Sequence, residues 1–117
     1  MNEPENQTIK KLKQRVIREF LDVIVLGKLQ EGTLSGYDLI IYLNARFQTV
    51  VSSGTVYSLL YSMERKGLIE GVWEERKRAY KLAEEGHRTL ADLDAAEGAV
   101  KELLTTLLPE TKPSPKA

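Results

Sequence analysis

The hydrophobic positions of the chain fall into helical stripes separated by short breaks. A first helix is predicted over residues 9–29, and its stripe consists of Ile9, Leu12, Val16, Phe20, Val23 and Ile24. This apolar face broadens toward the C-terminal half of the helix, while a small domain has little room for a helix buried on all sides. The alternative is a fully buried central helix, but the pattern favours a helix that contacts both its own core and a second copy of the chain.

A second helix is predicted to begin after Ser35. Ser35 and Asp38 form a variant of the capping box, a pair of residues that marks a helix start. The apolar positions that follow are Leu39, Ile40, Leu43 and Phe47, so this helix is expected to end near Phe47 or Gln48. A link over residues 49–51 leads into the next helix.

The third predicted helix, residues 52–66, has one apolar face and one unusual polar face. Its apolar stripe is Val56, Leu59, Leu60 and Met63, and either Ser52 or Ser53 can cap its start. The opposite face carries Thr55, Ser58, Tyr61, Ser62 and Arg65. Hydroxyl and guanidinium groups can donate hydrogen bonds to phosphates and base edges. Two short helices joined this tightly, the second with a polar outward face, predict a helix-turn-helix.

A two-stranded hairpin is predicted after Gly67, which is suited to end the third helix. Alternation places Ile69 and Trp73 on one side of the first strand, and Tyr80 and Leu82 on one side of the second. We expect Trp73 to pack against the core rather than to serve as a ligand platform.

The tip of this hairpin is basic. Arg76, Lys77 and Arg78 lie together there, and Glu75 to Lys77 include neither the Gly nor the Asn that favours the tightest turns, so the turn type stays open. A basic triplet alone is usually a solvated turn. Beside a helix-turn-helix, it is more readily explained as a wing that contacts phosphates.

The C-terminal part is predicted to form one long helix over residues 84–108. Leu93, Ala96, Val100, Leu103 and Leu107 follow alternating steps of three and four, with Leu90, Leu104 and Leu108 beside them. Such a helix overhangs a small domain, so a second copy is the simplest cover for its apolar seam. The flanking segments, residues 1–8 and the proline-rich 109–117, are expected to be disordered.

The fold class predicted from these elements is mainly α with a small β-hairpin. Residues 9–82 would form a winged helix-turn-helix and residues 83–108 a dimerisation helix. The residues expected at the dimer contact are Leu12, Val16, Phe20, Leu93, Val100, Leu103, Leu104 and Leu107.

Composition restricts the function classes further. The 117 residues contain no cysteine, which excludes a disulfide framework and Cys-ligated zinc. No apolar run approaches a membrane span, and the N-terminus lacks a signal-peptide pattern, so a cytoplasmic protein is expected. The net charge is zero, but residues 83–117 hold seven acidic and four basic residues. If DNA is the partner, this end should face away from it.

An enzyme is not favoured. The chain has a single histidine, His87, near Glu84 and Arg88 and without a nucleophile or second metal ligand at suitable spacing. No phosphate loop or paired-carboxylate motif accompanies it. Neither a cofactor nor a metal site is therefore predicted.

Four stretches of the chain resemble the PadR family of bacterial and archaeal transcriptional regulators. They are Val25-Leu-Gly-Lys-Leu-Gln-Glu-Gly-Thr-Leu-Ser-Gly-Tyr-Asp-Leu, Gly54-Thr-Val-Tyr-Ser-Leu-Leu, Glu64-Arg-Lys-Gly-Leu-Ile and Tyr80-Lys-Leu-Ala-Glu-Glu-Gly. The resemblance spans about Val23 to Gly86, and a single C-terminal helix as in the shorter subgroup lies beyond it.

The resemblance implies a homodimer that places its third helix in the major groove, usually a repressor released by a small molecule. At the matching positions, Ser53, Thr55, Tyr57 and Ser58 would contact DNA, while Tyr37, Lys77 and Arg78 would hold phosphates. Gly36, Gly54 and Gly67 look like backbone requirements, and Tyr80 like a packing residue.

The chain departs from the family pattern at three points. Ala83 stands where a helix-capping Thr is usual, the wing is short, and the C-terminal helix has no Trp or Phe for an aromatic drug pocket. The neutral charge also leaves open an alternative, a winged helix that binds protein rather than DNA. Salt dependence separates the two, because phosphate contacts release counterions.

Overall fold

The computed structural model describes residues 6–48 and 51–112 and contains helices and a small sheet in the predicted order. The elements are α1 (Gln7–Glu19), α2 (Leu21–Leu29), β1 (Leu34–Ser35), α3 (Gly36–Phe47), α4 (Ser53–Arg65), β2 (Ile69–Glu74), β3 (Lys77–Leu82), α5 (Glu84–Ala95) and α6 (Glu97–Leu107). The mainly helical winged-helix fold is therefore confirmed.

The core lies between α2, α3, α4 and the hairpin. Its most completely buried side chains are Val25, Leu26, Leu39, Leu43, Val56, Leu60, Met63 and Ile69. The stripes predicted for the second and third helices are thus the faces of α3 and α4 that pack together, with Leu59 partly buried at the edge. This packing leaves the polar side of α4 in solvent.

The helix ends follow the predicted capping chemistry. Ser35 and Asp38 form a complete capping box at α3, and the side chain of Ser52, rather than that of Ser53, caps α4. After α4, Gly67 has φ +76°, the Leu68 N–H donates to the Met63 carbonyl, and the Gly67 N–H donates to the Glu64 carbonyl. This pair of bonds is a Schellman motif, which explains the glycine.

The sheet has three antiparallel strands in the order β1-β3-β2. The hairpin of β2 and β3 was predicted, whereas β1 was not, because two residues are too few to show alternation. Leu34 pairs with Tyr80, and Ser35 pairs with Ala79. The start of α3 is therefore held against the second strand of the hairpin.

The hairpin turn consists of Glu75 and Arg76 alone, since Glu74 pairs with Lys77. Both turn residues have positive φ, 46° and 69°. This is the geometry of a type I′ turn, which usually contains Asn and Gly. The turn type, which the sequence left open, is therefore type I′, and it forms here without Asn or Gly.

The single helix predicted over residues 9–29 is wrong, because the structure divides it at Phe20. Phe20 has φ −106° and ψ 14°, and its N–H donates to both the Val16 and Ile17 carbonyls. The break separates a helix with no buried residue, α1, from α2, whose Leu21, Val25, Leu26 and Leu29 enter the core. Periodicity did not reveal it, because the apolar spacing continues across a one-residue break.

The long C-terminal helix predicted over residues 84–108 is likewise two helices. The break falls at Ala96, with φ −103° and ψ 12°, shortly before Gly98. A glycine lowers the helix preference of its neighbourhood, and here the turn tightens, with the Ala96 N–H shared between the Asp92 and Leu93 carbonyls.

The expectation that Trp73 packs in the core is also wrong. Trp73 lies on the same face of β2 as Ile69, as the alternation predicts, but its side chain is 72% exposed whereas Ile69 is buried. The hairpin extends beyond the helices, so alternate positions are buried only as far as the core reaches.

The prediction that residues 1–8 and 109–117 are disordered can be compared with the structure only at residues 6–8 and 109–112. Residues 1–5 and 113–117 lie outside them, as do residues 49 and 50 of the predicted link. Gln7 and Thr8 already belong to α1, while residues 109–112 form no helix or strand.

Candidate nucleic-acid interface

The outward face of α4 presents the predicted polar side chains. Ser53, Thr55, Ser58 and Tyr61 are exposed, and Ser62 is partly buried. Tyr61 is the most prominent, with 64% of its surface accessible. Its ring lies 5.7 Å from the Arg65 guanidinium. This face offers hydroxyl groups over about three turns of helix.

The first turn of α4 leaves a donor available at Thr55. The Ser52 hydroxyl accepts from the Thr55 N–H at 3.2 Å and donates to the Thr55 hydroxyl at 2.8 Å. Because the Thr55 oxygen is used as an acceptor, its own proton remains free to donate outward. The N-cap thus orients a hydroxyl on the exposed face.

The junction between α3 and α4 is fixed by Asn44, a residue that the sequence analysis did not single out. Its side-chain oxygen accepts from the Val51 N–H at 2.7 Å, and its amide nitrogen donates to the Ile40 carbonyl at 3.0 Å. Val51 itself is buried. These contacts hold the start of α4 against α3.

A groove runs between the start of α3, the exposed side of α4 and the wing. Its lining residues are Ser35, Gly36, Tyr37, Tyr57, Lys77, Arg78 and Tyr80. Four predicted phosphate or DNA contacts therefore meet in one place: Tyr37, Tyr57, Lys77 and Arg78. Tyr37 is 66% exposed, so its hydroxyl is available to a partner.

Gly36 allows Tyr57 to occupy this groove. A Cβ atom at Gly36 would overlap the ring of Tyr57. The phenol of α4 thus lies directly over the backbone at the start of α3, which supplies the structural reason for this glycine. The predicted need for glycine at position 36 is thus explained by the close approach of the Tyr57 ring, because Gly36 does not have a positive φ.

The capping box beside this groove carries a stabilised negative charge. The pKa of Asp38 lies below its ordinary value, chiefly because the Ser35 backbone N–H donates to its carboxylate at 3.1 Å. The Ser35 hydroxyl contributes next, and the positive charge of Lys77 adds a smaller effect. The Lys77 ammonium therefore lies close enough to α3 to lower the pKa of Asp38.

Arg78 differs from its neighbours in the wing because its guanidinium already has a partner. It donates to the Glu64 carboxylate of α4 at 2.5 Å, and the Gly71 N–H donates to the same oxygen at 3.3 Å. The pKa of Arg78 is raised, first by the bond to Glu64 and then by Tyr80. Arg76 and Lys77 are exposed. The ion pair between Arg78 and Glu64 thus joins the wing to α4.

The contribution of Glu64 was missed by the sequence analysis. Glu64 is the only acidic residue in α4 and stands next to a cation of the same helix, Arg65, so the local sequence does not indicate a partner in the hairpin. The partner could not be inferred, since Arg78 is fourteen positions away and alternation alone does not give the distance between hairpin and helix.

The residues predicted for a dimer contact lie outside the core. Neither α1 nor α6 contains a buried residue. Leu12, Leu93 and Val100 are partly buried, whereas Val16, Phe20, Leu103, Leu104 and Leu107 are exposed. The described chain therefore presents two apolar faces that it does not cover by itself.

His87 is exposed, and no group of three potential metal ligands occurs within residues 6–48 and 51–112. Among the helices in these ranges, none has the length and apolar character needed to cross a membrane.

A helix-turn-helix with an exposed hydroxyl face and a basic wing defines the class of DNA-binding winged-helix transcriptional regulators. The sequence profile of the Transcriptional regulator PadR-like family matches residues 25–92, more than half of the chain. The chain belongs to this PadR-like family, whose members are transcriptional regulators and not enzymes. The resemblance described above is confirmed.

Solved structures of similar fold support this assignment. A PadR-like transcriptional regulator from Bacillus cereus superposes with a TM-score of 0.70 at 25% identity, covering 83% of this chain and 99% of that one. A transcriptional regulator from Clostridium thermocellum gives a TM-score of 0.67 at 25% identity, with coverage of 81% and 96%.

A regulator described as putative from Thermoplasma acidophilum shares the fold at 20% identity, with a TM-score of 0.66 and coverage of 84% and 99%. No curated protein matches the sequence significantly.

Proposed function

We propose that this protein is a homodimeric repressor that binds an inverted repeat in DNA. The observation that carries the proposal is the shared groove in which Tyr37, Tyr57 and Lys77 lie beside the exposed face of α4. Because these side chains come from α3, α4 and the wing, a single partner that contacts all of them must extend across both helices and the wing. A duplex has that extent, and its phosphates suit these donors.

In this proposal, α4 enters the major groove and the wing contacts the flanking backbone. Ser53, Thr55, Ser58, Tyr61 and Ser62 are the candidates for contact with base edges. Tyr37, Tyr57, Arg76 and Lys77 would bind phosphates. Arg78 is assigned a positioning role, because its guanidinium is bonded to Glu64.

The dimer would form through α1 and the C-terminal helices. Residues 9–82 would form the DNA-binding unit, which contributes α1 to the dimer contact, and residues 83–108 would form the dimerisation unit. The exposed apolar residues of α1 and α6 support this arrangement. A two-fold dimer presents two α4 helices, so the two half-sites should lie about one helical turn, roughly 34 Å, apart. A small-molecule effector, as the family resemblance implies, would release the dimer from DNA.

The experiment that tests the proposal is selection of bound fragments from genomic DNA, followed by titration of the best fragment at several salt concentrations. An enriched inverted repeat with steep salt dependence is expected, because each neutralised phosphate releases counterions. If the folded dimer enriches no sequence and its binding is insensitive to salt, the alternative of a protein-binding winged helix replaces the proposal.

The wing contact is tested by Lys77→Ala. This variant should weaken binding to all sequences alike and lower the salt slope by about 1, since one phosphate contact is lost. Lys81→Ala is the control, because it removes a cation from the same strand four residues farther from the turn, where its ammonium lies 3.9 Å from the Glu70 carboxylate. Equal losses in the two variants would mean that Lys77 makes no specific contact.

A further inference from the structure

The most basic segment of the chain is α1, which lies outside the helix-turn-helix. This helix contains five basic residues and one acidic residue, Glu19 at its C-terminal end, although the net charge of the protein is zero. The basic residues are Lys10, Lys11, Lys13, Arg15 and Arg18. Such a local excess of positive charge favours association with a partner of opposite charge.

Part of this charge is directed toward α4. Lys10, Gln14 and Arg18 recur at four-residue steps, so they form one stripe along α1. This stripe lines a cleft whose other wall includes Gln48, Val51, Ser52 and Thr55. Thr55 belongs to the exposed face of α4, so the cleft opens onto the proposed DNA-binding surface.

The apolar face of α1 points the other way. At about 100° per residue, the stripe of Lys10, Gln14 and Arg18 lies nearly opposite Val16 and Phe20. A second copy of the chain that covered the apolar face would therefore leave the cleft open. Among the described residues, Lys10 and Arg18 take part in no ion pair.

We propose that Lys10, Gln14 and Arg18 bind the phosphates of the DNA backbone next to the groove that α4 enters. This inference rests on the proposed function and extends the interface to a helix outside the helix-turn-helix. The partner is a polyanion rather than the acidic C-terminal part of a second copy, because the stripe faces α4 and not the apolar seam. The N-terminal helix would then bind DNA on one side and the second subunit on the other.

The test compares two double variants that lose the same charge from the same helix. Lys10→Ala with Arg18→Ala removes the cations of the cleft, while Lys11→Ala with Arg15→Ala removes two that do not line it. All four side chains are exposed, and alanine favours helix, so the fold should persist. Circular dichroism and sedimentation would verify folding and oligomeric state in each variant.

Binding is measured on a mixed-sequence duplex and on the selected fragment. The cleft variant should bind both roughly tenfold more weakly and lower the salt slope by about 2, one for each phosphate contact. The control should change the slope much less. Equal changes in both variants, or none in either, would overturn the proposal.

Gln14→Lys provides a test that loss of stability cannot mimic. A third cation in the stripe should tighten binding and raise the salt slope by about 1. Unchanged binding would contradict the proposal. If the unmodified protein binds no DNA, the proposed function itself fails. If it binds and Lys77→Ala weakens it while the α1 variants do not, only the role of α1 is rejected.

Discussion

The winged-helix body and the helices that flank it have similar amphipathic sequences but different surroundings. In the body, Val25, Leu39 and Leu60 have no accessible surface. In α1 and α6, no residue is buried, although Val16 and Leu104 occupy equally regular apolar stripes. A hydrophobic stripe therefore shows that a helix has a partner, but not whether the partner lies in the same chain.

The largest expected effect is the loss of core packing at Leu60. Leu60→Ala removes a fully buried side chain between α4 and its neighbours, which typically costs about 2–5 kcal/mol of the free energy of unfolding. Urea unfolding at fixed protein concentration measures it. Leu103→Ala, at a position that is 56% exposed in the single chain, is the control. Because Leu103 lies in the proposed dimer contact, its cost should be clearly less when both variants are diluted until the subunits separate. Equal costs would contradict the distinction between the two regions.

A charge in the apolar seam of α6 should separate the subunits while leaving the body folded. Leu104→Glu would place an unpaired carboxylate in the proposed dimer contact, so the dissociation constant should rise at least about hundredfold, or roughly 3 kcal/mol. Sedimentation reports the mass, and circular dichroism reports the helices. A dimer as stable as that of the unmodified protein would show that α6 lies outside the contact.

The capping box makes a smaller contribution, and it depends on pH. Because the folded pKa of Asp38 is lowered, its carboxylate stabilises the fold above the unfolded pKa of about 4, and this is lost as pH falls through the folded pKa. Asp38→Asn should therefore be less stable than the unmodified protein at neutral pH, by less than about 1 kcal/mol, with the difference vanishing in acid. Thermal unfolding from neutral to acidic pH measures it, and a constant difference would contradict the assignment.

The smallest predicted effect concerns the junction between the body and the C-terminal helices. Ala83 occupies the N-cap of α5 in extended conformation and makes no side-chain capping bond, as the sequence comparison with the family pattern predicted. Ala83→Ser should therefore stabilise the protein by about 0.5–1 kcal/mol. A rise in the unfolding midpoint without a change in oligomeric state would support this. Ala95→Ser, in the last turn of the same helix, should give no such gain.

Local signals predicted most of the fold. The stripes of α3 and α4, the capping box at Ser35 and the Schellman glycine at Gly67 each depend on residues within one or two turns. The breaks at Phe20 and Ala96 were not predicted, because neither involves proline and the apolar spacing continues across them. The exposure of Trp73 depends on how far the hairpin extends beyond the helices, which no local pattern contains.

The candidate site was predicted to a similar extent. The polar face of α4 follows from helical spacing, and the basic wing follows from composition. The groove that unites Tyr37 with Tyr57 requires the packing of α3 on α4, and the bond between Arg78 and Glu64 requires the position of the wing. These contacts link residues distant in sequence, so periodicity could not provide them.

Glu64 fixes the wing at two points, the Arg78 side chain and the Gly71 backbone N–H. Its carboxylate therefore helps to set the distance between the face of α4 that is proposed to contact base edges and the wing residues that are proposed to bind the flanking phosphates. In the proposed complex, a duplex must match that distance to be held by both. Groove width varies with DNA sequence, so a rigid wing would distinguish sequences by their shape at positions where it touches no base.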